Sequence, residues 1–400
     1  MFSGKRIVLG VTGGIAAYKA VEISRRLVDA GAHVSPIMTS AAKKFIGEVT
    51  LSALASEPVK SSLWDGDDPI PHTTLGQEAD LILVVPATAN LIGAYAAGIS
   101  NDLLTATLLA TRAPVLICPA MHTEMWEHPA VQENLETLLR RGVNIVDPDD
   151  GMLAGGDVGK GRLAGVGKIL DKAESILSRN DLQGLHFLIT AGGTREPIDP
   201  VRYISNRSSG KQGYALAKAA KIRGADVTLV TTMETEAPSG VKVLCSETAS
   251  EMQNVVMTER INADVIIMAA AVADYRPSEI SEQKVKKTEV VTAINLEPTH
   301  DFLVDLGNDK QSSQTLVGFA AETQNLEENA IEKLKRKNLD LIVANDVSLP
   351  GVGFAHDTNE VTIIGENSKW TLPLSDKRII ADGILDAIVE IRQERFKGNG

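Results

Sequence analysis

The residues best suited to bind a phosphorylated ligand follow two strand-like segments that end in glycines. The first segment is "RIVLGVTGGIAAYKA", residues 6–20, and the second is "LITAGGTREPIDPVRYISNRSSGKQG", residues 188–213. Glycine lets backbone amides approach a phosphate closely, and the N-terminus of a helix favours an anion. The first segment enters a helix pattern at once, and a plain tight turn explains it equally well. The second reaches its helix only after a long loop.

The end of the second strand helps to distinguish the possible nucleotides. A dinucleotide site usually has Asp or Glu there to hold the ribose hydroxyls, whereas this chain has Met38, Thr39 and Ser40. Hydroxyl groups suit the phosphate and ribityl chain of a flavin better than an adenine ribose. An NAD-dependent dehydrogenase is the main enzymatic alternative, and the missing acid weakens it.

The long loop is a basic region of an acidic protein. A formal net charge of −12 argues against general nucleic-acid binding, so an anionic ligand has to meet a local group of cations. The loop offers such a group in Arg195, Arg202, Arg207 and Lys211. We expect it to contact a phosphorylated, nucleotide-bearing substrate. A solvated loop with chance arginines is the alternative.

Two further signals are weak when taken alone. Lys333 and Lys337 share one face of a predicted helix, which fits a phosphate clamp but equally fits two solvent-facing lysines. His72, in "PIPHTTL", is a candidate for proton exchange, because imidazole side chains can exchange protons near neutral pH. A lone histidine is more often an ordinary surface residue.

Composition is that of a globular protein without membrane spans. The 400 residues are 44% hydrophobic and 23% charged, and no apolar run is long enough to cross a bilayer. The N-terminus lacks the pattern of a signal peptide, so we expect a cytoplasmic protein. Cys118 and Cys245 are too few for a disulfide framework or a thiolate zinc site.

Strand and helix signals alternate along the first half and then restart. Alternation of this kind predicts an α/β fold with parallel sheets. The polar stretch "SRNDLQG", residues 178–184, marks a boundary, so we expect two Rossmann-like domains, residues 1–180 and 181–400. In the second domain "KVKKTEVVTAINLE", residues 284–297, alternates with period two and predicts an added antiparallel hairpin. The predicted strands of the first half lie near 6–11, 33–38, 80–86, 114–118 and 143–146.

The ordered set of motifs resembles the bifunctional enzymes of coenzyme A biosynthesis. "VTGGIAAYKA", "MTSAA", "PHTTLGQEADLILVVPATANLIGAYAAGISNDLLTA" and "PAM" are similar to the flavin-containing cysteine decarboxylases. "TAGGTREPIDPVRYISNRSSGKQG", "AAVADYRP", "KVKK", "GFAAET" and "KRKNLDLIVAND" are similar to phosphopantothenate cysteine ligase. The resemblance covers nearly the whole chain and implies a flavodoxin-like first domain.

For the first domain, the resemblance implies FMN-dependent decarboxylation of 4'-phosphopantothenoylcysteine to 4'-phosphopantetheine. A flavin oxidises the cysteine thiol, and carbon dioxide then leaves as an enethiol forms. His72 matches the catalytic histidine of the family. The positions matched to flavin or nearby contacts are Gly13, Gly14, Ile15, Ala16, Thr39, Ser40, Pro86, Ala87, Thr88, Asn90, Ser100, Asp102 and Met121.

Two positions depart from the pattern of that family. His122 follows "PAM" where the family commonly has an Asn that holds the substrate carboxylate, and an imidazole can also donate to a carboxylate. Gly155 replaces a cysteine in the flap "AGGDVGKGR", in which Gly155 and Arg162 match substrate contacts. The proton donor is then water, His122 or Cys118. A ligase fused to a catalytically impaired flavin-binding regulatory domain is the alternative function.

For the second domain, the resemblance implies that CTP activates 4'-phosphopantothenate as an acyl-cytidylate, which the amine of cysteine attacks. Magnesium is the expected metal, with its ligands unassigned. Lys284 matches the lysine at the reacting centre, and Asn206, Arg207 and Lys211 match the substrate loop. The nucleotide positions are Gly192, Gly193, Ala269, Ala270, Asp274, Lys284, Thr299, His300, Asp301, Phe302, Phe319, Lys333 and Lys337.

The resemblance also implies assembly. Flavin sites in the family form between subunits, so we expect trimers of the first domain, dimers of the second and a dodecamer overall. The expected partners are therefore small-molecule substrates and further copies of this chain, and neither nucleic acid nor a membrane.

Overall fold

The computed structural model describes residues 2–64, 68–285, 293–322, 324–346, 348, 353 and 356–397. The chain divides into two compact units, Met1–Arg179 and Asn180–Gly400. Among the described helices, none is both long enough and apolar enough to cross a membrane.

The first unit is built on a parallel sheet of five strands. The described strands of this unit are β1 (Arg6–Val11), β2 (His33–Met38), β3 (Leu81–Ala87), β4 (Val115–Pro119), β5 (Asn144–Ile145), β6 (Asp149–Met152) and β7 (Val158–Arg162), of which the first five form the sheet. The sheet order is β2-β1-β3-β4-β5, the flavodoxin-like order. The bounds of β1 and β2 are those predicted. The last two strands form a separate antiparallel pair, and the flap, residues 154–162, consists of the turn between them and β7.

Helices cover both faces of this sheet. They are α1 (Tyr18–Asp29), α2 (Glu48–Leu54), α3 (Pro71–Glu78), α4 (Ala89–Ala97), α5 (Leu103–Ala110), α6 (Thr123–Glu127), α7 (Pro129–Arg140) and α8 (Val166–Leu177). Successive strand residues point to opposite faces, so Leu9 packs in a cluster with Ile23 of α1, whereas Val8 packs in a cluster with Leu104 of α5. Burial on both faces explains why the strands are almost continuously apolar.

The second unit has more strands, grouped in one large and two small sheets. The strands are β8 (His186–Ala191), β9 (Arg195–Pro197), β10 (Tyr203–Ser205), β11 (Asp226–Thr231), β12 (Lys242–Cys245), β13 (Val265–Met268), β14 (Tyr275–Pro277), β15 (Leu296–Pro298), β16 (Thr315–Glu322), β17 (Leu341–Asp346), β18 (Thr358–Gly365) and β19 (Lys369–Asp376). Its helices are α9 (Lys211–Ile222), α10 (Ala249–Glu259), α11 (Phe302–Asn308), α12 (Leu326–Arg336) and α13 (Lys377–Lys397).

The large sheet has eight strands in the order β12-β11-β8-β13-β16-β17-β18-β19. Its first six strands pair in parallel and follow the Rossmann order, in which the chain starts at the centre and crosses once to the other side. The last two strands are antiparallel to their neighbours.

An antiparallel hairpin is added to this sheet, as predicted, and it consists of β18 and β19. Among the described residues of the segment 284–297, in which we predicted the hairpin, the last ones belong to β15, which pairs with β14 in a separate two-stranded sheet. Residues 286–292 of that segment lie outside the described residues. Period-two alternation indicates a strand with one exposed face, but it does not identify the strand with which it pairs.

Arg223 links the beginning of the second unit to two of its helices. Its side chain is 2% exposed and follows the end of α9. Its guanidinium binds both oxygens of Asp181, at 2.9 and 2.6 Å, and donates to Asp386 of α13 at 2.8 Å. A buried charge that loses its partners is costly. The Arg223 cluster therefore holds together the start of the unit at Asp181, the end of α9 and helix α13.

Arg223→Met should therefore destabilise the second unit by about 2–4 kcal/mol, because Asp181 and Asp386 lose their shared cation. Hydrogen exchange of the full chain should show faster exchange in β8 and α13, with β1–β4 unchanged as the internal reference. Arg276→Met, which breaks an exposed pair with Glu297, is the matched control and should have little effect. Equal protection in both variants would contradict this role for Arg223.

Candidate functional site

Both parallel sheets open at the carboxyl ends of their strands, where the strand order reverses. In the first unit this point lies between β1 and β3, and in the second between β8 and β13. Loops leave such strands in opposite directions, so a crevice forms there, and ligands of open α/β sheets bind in it. The glycine turns singled out in the sequence follow β1 and β8.

Thr12 ties the first glycine turn to the end of β3. Its buried hydroxyl donates to the Pro86 carbonyl at 2.7 Å and accepts from the Thr88 amide at 3.2 Å. Gly13 follows, and a Cβ at this position would lie 2.4 Å from the Cβ of Ala41. Only glycine fits this approach, which brings the turn against the "MTSAA" loop. Sequence analysis did not single out Thr12, although its place directly before two glycines was the available signal.

A cavity of about 610 Å³ lies beside this turn and extends to the flap. It brings together nine of the predicted positions: Gly13, Gly14, Ile15, Ala16, Thr88, Met121, His122, Gly155 and Arg162. It also includes Lys19, which the sequence analysis missed. Burial, followed by the charge of Arg162, lowers the pKa of Lys19. The two cations beside an apolar wall suit a ligand that has a phosphate at one end and an aromatic system at the other.

Other predicted positions of the first unit do not line this cavity. Asp102 caps α5 by accepting from the Thr105 amide at 2.8 Å, and Thr39 accepts from the Ala42 amide at 3.3 Å. His72 lies in the first turn of α3, and its buried Nδ1 has no hydrogen-bond partner among the described residues. The remaining five positions lie at strand ends, in the first turn of α4 or in loops: Ser40 follows β2, Pro86 and Ala87 end β3, Asn90 is in the first turn of α4, and Ser100 is in the loop between α4 and α5. Their binding roles stay predictions.

The flap is held against the "PAM" segment by a glycine. Met121 donates its amide to the Gly161 carbonyl at 3.0 Å. Gly161 has φ +146°, and a Cβ there would lie 2.2 Å from the Met121 carbonyl oxygen. A side chain at position 161 would therefore separate the flap from the cavity wall.

His122 lies where the flap meets the cavity. Its Nε2 is 3.1 Å from Asp157, and its Nδ1 contacts Glu124. These hydrogen bonds, first that with Glu124 and then that with Asp157, raise the pKa of His122. A Cβ on Gly155 would be 3.6 Å from His122 Nε2, so the two departures from the family pattern are neighbours. Cys118 is fully buried in β4 and burial raises the pKa of its thiol, which makes it a poor proton donor.

In the second unit, the long loop closes on the end of β13. The Gly192 carbonyl accepts from the Ala271 amide at 2.8 Å. Asn206 then donates its side-chain amide to the carbonyls of Ala271 and Val272, at 3.4 and 3.2 Å. The loop is thus joined to the segment after β13, which carries the predicted nucleotide positions Ala269, Ala270 and Asp274.

A small cavity of about 120 Å³ lies at the N-terminus of α9. It brings together four predicted positions, Lys211, Ala269, Ala270 and Phe319, with three that sequence analysis missed, Asn345, Asn359 and Lys377.

Lys377 is a buried charged residue that lines this cavity. It is 6% exposed, and its Nζ donates to the carbonyls of Gly353 and His356 at 3.0 and 2.6 Å. Burial, and then the charge of Lys211, lowers its pKa. The buried Asn359 Oδ1 finds no hydrogen-bond partner among the described residues. Lys211 begins α9 and Lys377 begins α13, so two ammonium groups at helix N-termini line the cavity, which suits an anion. In sequence, a lysine at the start of a helix looks like a surface residue.

The remaining nucleotide positions form a second group that does not line this cavity. Thr299 donates its amide to the Asp274 carbonyl at 2.9 Å, and His300 lies 2.6 Å from Asp305. Asp301 precedes Phe302 and forms an ion pair with Lys337 at 2.7 Å. Lys333 is paired with Glu322 at 2.5 Å. Their shared clamp stays a prediction: Lys333 lies on α12, Lys337 directly follows it, and each already has a carboxylate partner.

Lys284 and Arg207 are exposed side chains of this unit. Lys284 was expected to begin a strand, but it lies in a segment without regular secondary structure. Within the described residues, no group of three His, Cys, Asp or Glu side chains is arranged to hold a metal ion.

Two known families match the chain, one on each side of the boundary between the two structural units. The family model "Flavoprotein" matches residues 1–178, and "DNA/pantothenate metabolism flavoprotein C-terminal domain" matches residues 182–391. The Coenzyme A biosynthesis bifunctional protein CoaBC of Vibrio cholerae serotype O1 is 46% identical over 393 residues, covering 97% of this chain and 98% of that protein. The chain belongs to this family of coenzyme A biosynthesis bifunctional proteins.

Other members of the family match over similar lengths. The CoaBC protein of Escherichia coli K12 is 46% identical and covers 98% of each chain, and that of Mycobacterium tuberculosis H37Rv is 44% identical and covers 96% of each. A crystal structure of the C-terminal domain of a CoaBC protein shares 42% identity, covers 54% of this chain and 99% of that chain, and has a TM-score of 0.46.

Gly161→Ala should release the flap, because its Cβ collides with the Met121 carbonyl and its backbone conformation is strained by about 1–3 kcal/mol. Trypsin should then cut after Lys160 and Arg162 faster than in the wild type. Gly155→Ala is the matched control, since its Cβ meets only the ends of the Asp157 and His122 side chains. The idea fails if both variants are cut at the wild-type rate.

The contact between His122 and Asp157 of the flap should also depend on pH. The raised pKa of His122 means that its contribution to stability is fully present below the unfolded-state pKa of about 6.5 and is lost as pH rises through the folded-state pKa. The unfolding temperature of the wild type should exceed that of His122→Gln at low pH, and the difference should shrink on going to alkaline pH. A difference that is constant with pH would argue against this pairing.

Proposed function

We propose that this chain is a bifunctional enzyme of coenzyme A biosynthesis. Its second unit activates 4'-phosphopantothenate with CTP and couples it to cysteine. Its first unit decarboxylates the resulting 4'-phosphopantothenoylcysteine to 4'-phosphopantetheine with FMN. The observation that carries the proposal is the 46% identity to a bifunctional relative along 97% of this chain. The alternative of a ligase fused to an impaired flavin-binding unit is not favoured by these comparisons.

The cavity of the first unit fits FMN. Gly13 and Gly14 line the cavity, so the backbone of the turn can contact a phosphate there. Lys19 and Arg162 supply positive charge, and Met121 and Leu163 contribute apolar surface. FMN, when bound, supplies the oxidation of the substrate thiol that makes loss of carbon dioxide possible.

Two histidines of the first unit have separate proposed tasks. His122 Nε2 faces the flap, where it donates to a carboxylate of the structure, Asp157, and it can donate to a substrate carboxylate in the same way. His72 takes or returns a proton at the substrate thiol. Since Cys118 is buried in β4, the proton returned to the substrate carbon comes from His122 or from water.

The second unit performs two successive substitutions. The carboxylate of 4'-phosphopantothenate attacks the α-phosphorus of CTP and pyrophosphate leaves; the amine of cysteine then attacks the acyl carbon and CMP leaves. Lys284 stabilises the charge that develops at the acyl group. Asn206 holds the carbonyls of Ala271 and Val272 at the centre of the crevice, where it can contact the acyl intermediate. Magnesium would be held mainly by the triphosphate and water.

We propose assembly into trimers through the first unit and dimers through the second, giving a dodecamer. The position of His72 outside the cavity of its own subunit supports a site that a second subunit completes. Ile15 and Tyr18, apolar side chains at the cavity, are 66% and 61% exposed in the single chain. Light scattering of the purified full chain measures the size of the assembly.

The function is tested with the purified full-length protein. Its absorption spectrum should show bound flavin, and pyrophosphate should be released only when CTP, 4'-phosphopantothenate and cysteine are all present. A colourless protein that does not take up FMN would overturn the first activity. Turnover with ATP but not CTP would overturn the nucleotide assignment.

Lys284→Gln and His72→Asn should separate the two activities. Lys284→Gln should reduce ligation about 100-fold or more, because a neutral amide cannot stabilise the developing charge, and should leave decarboxylation intact. His72→Asn should reduce decarboxylation about 100-fold or more, with flavin still bound and ligation intact. Each variant is the control for the other. Wild-type ligation by Lys284→Gln, or loss of flavin from His72→Asn, would refute the corresponding role.

A further inference from the structure

The long loop between β8 and α9 contains a small hairpin with a buried acid at its tip. Strands β9 and β10 pair antiparallel, and Asp199 lies in the turn that joins them. Its side chain is fully buried. One of its carboxylate oxygens, Oδ1, accepts hydrogen bonds from the amides of Val201 and Arg202, both at 2.8 Å. These two bonds fold the turn upon itself.

The other carboxylate oxygen reaches a different segment of the chain. Asp199 Oδ2 accepts from the Val285 amide at 3.3 Å. Arg202 donates from Nη2 to the Val285 carbonyl, also at 3.3 Å. The loop therefore holds both backbone groups of the residue that directly follows Lys284.

A third contact fixes the same segment at its other end. The Ser281 amide donates to the Ile198 carbonyl at 3.0 Å. Residues 281–285 are thus attached to the loop hairpin at two points, on either side of Lys284. Lys284 itself is exposed and free of regular secondary structure, so these attachments set the position of its backbone.

The charge of Asp199 suits this task. Burial opposes its ionisation, but the amides of Val201, Arg202 and Val285 and the charge of Arg202 together outweigh that effect, so its pKa lies below the ordinary value. The carboxylate is therefore ionised at neutral pH, and both of its oxygens act as acceptors.

We propose that Asp199 is a positioning residue for Lys284, which it acts on by anchoring the backbone of Val285 to the long loop. The inference rests on the proposed ligase function, in which Lys284 contacts the reacting acyl group. It assigns a purpose to the length of the loop: the same segment that carries Asn206 also holds the lysine segment in place.

Asp199→Asn tests the proposal selectively. The amide can keep its oxygen toward Val201 and Arg202, so the turn persists, but its NH₂ group cannot accept from the Val285 amide. We expect the kcat of ligation to fall about 10- to 100-fold in the full-length protein, because a small displacement of a catalytic group is costly. KM for CTP and decarboxylation should stay near wild-type values.

Glu196→Gln is the matched control. Glu196 is a buried acid of the same loop, 3% exposed, and its Oε1 accepts from the Ala249 amide at 2.9 Å, away from Lys284. This acid-to-amide change should leave the kcat of ligation within about twofold of the wild type, because the amide retains that oxygen acceptor.

A double-mutant cycle shows whether Asp199 acts through Lys284. In a Lys284→Gln background, Asp199→Asn should cause no further loss of kcat. An equal further loss, or an unchanged kcat in the single variant, would overturn the proposal.

Hydrogen exchange at the Val285 amide supplies a readout that does not depend on ligation. It should become faster in Asp199→Asn and stay unchanged in Glu196→Gln, and unchanged exchange in both would overturn the anchoring. Absence of ligation by the wild type would instead overturn the proposed function and, with it, the role given to Lys284.

Discussion

Parallel pairing at the centre of each sheet is the constraint on which both sites depend. β1 lies between β2 and β3, and β8 lies between β11 and β13, so in each unit the chain leaves the central strand toward one side and later returns to the other. Parallel strands end at the same edge, and the two loops at the reversal cannot fill the space between them. The crevices are thus consequences of strand order, and the turns after β1 and β8 only decide what each crevice can hold.

The turns after β1 and β8 differ in length. After β1 the backbone passes directly through Gly13 and Gly14 into the helical region, and Thr12 secures it with one buried hydroxyl. After β8 the chain makes a hairpin before α9 begins at Lys211. That excursion brings Asn206 to the end of β13 and Asp199 to Val285. The short turn leads directly into the next helical region, whereas the long one also joins segments that are distant along the chain.

Much of this organisation could be predicted from sequence because its signals are local. β1 and β2 are β-branched runs closed by turn residues, and their bounds agree with the structure. An added hairpin could be predicted from alternation, but only tertiary pairing shows that β18 and β19, at 358–376, form one in the large sheet. Lys377 was missed because its burial depends on the carbonyls of Gly353 and His356. Asp199 was missed because a turn aspartate usually serves its own turn.

Two of the flap glycines, Gly161 and Gly155, differ in which substitutions their surroundings permit. At position 161 the backbone conformation and the Met121 carbonyl exclude every side chain, so a descendant that changes this residue must rebuild the flap as well. At position 155 a side chain would meet only the movable ends of Asp157 and His122. A single substitution can therefore add or remove a functional group there while the scaffold is kept. A functional group introduced at position 155 would lie next to His122, so a substitution there could change the chemistry of the cavity while the backbone stays the same.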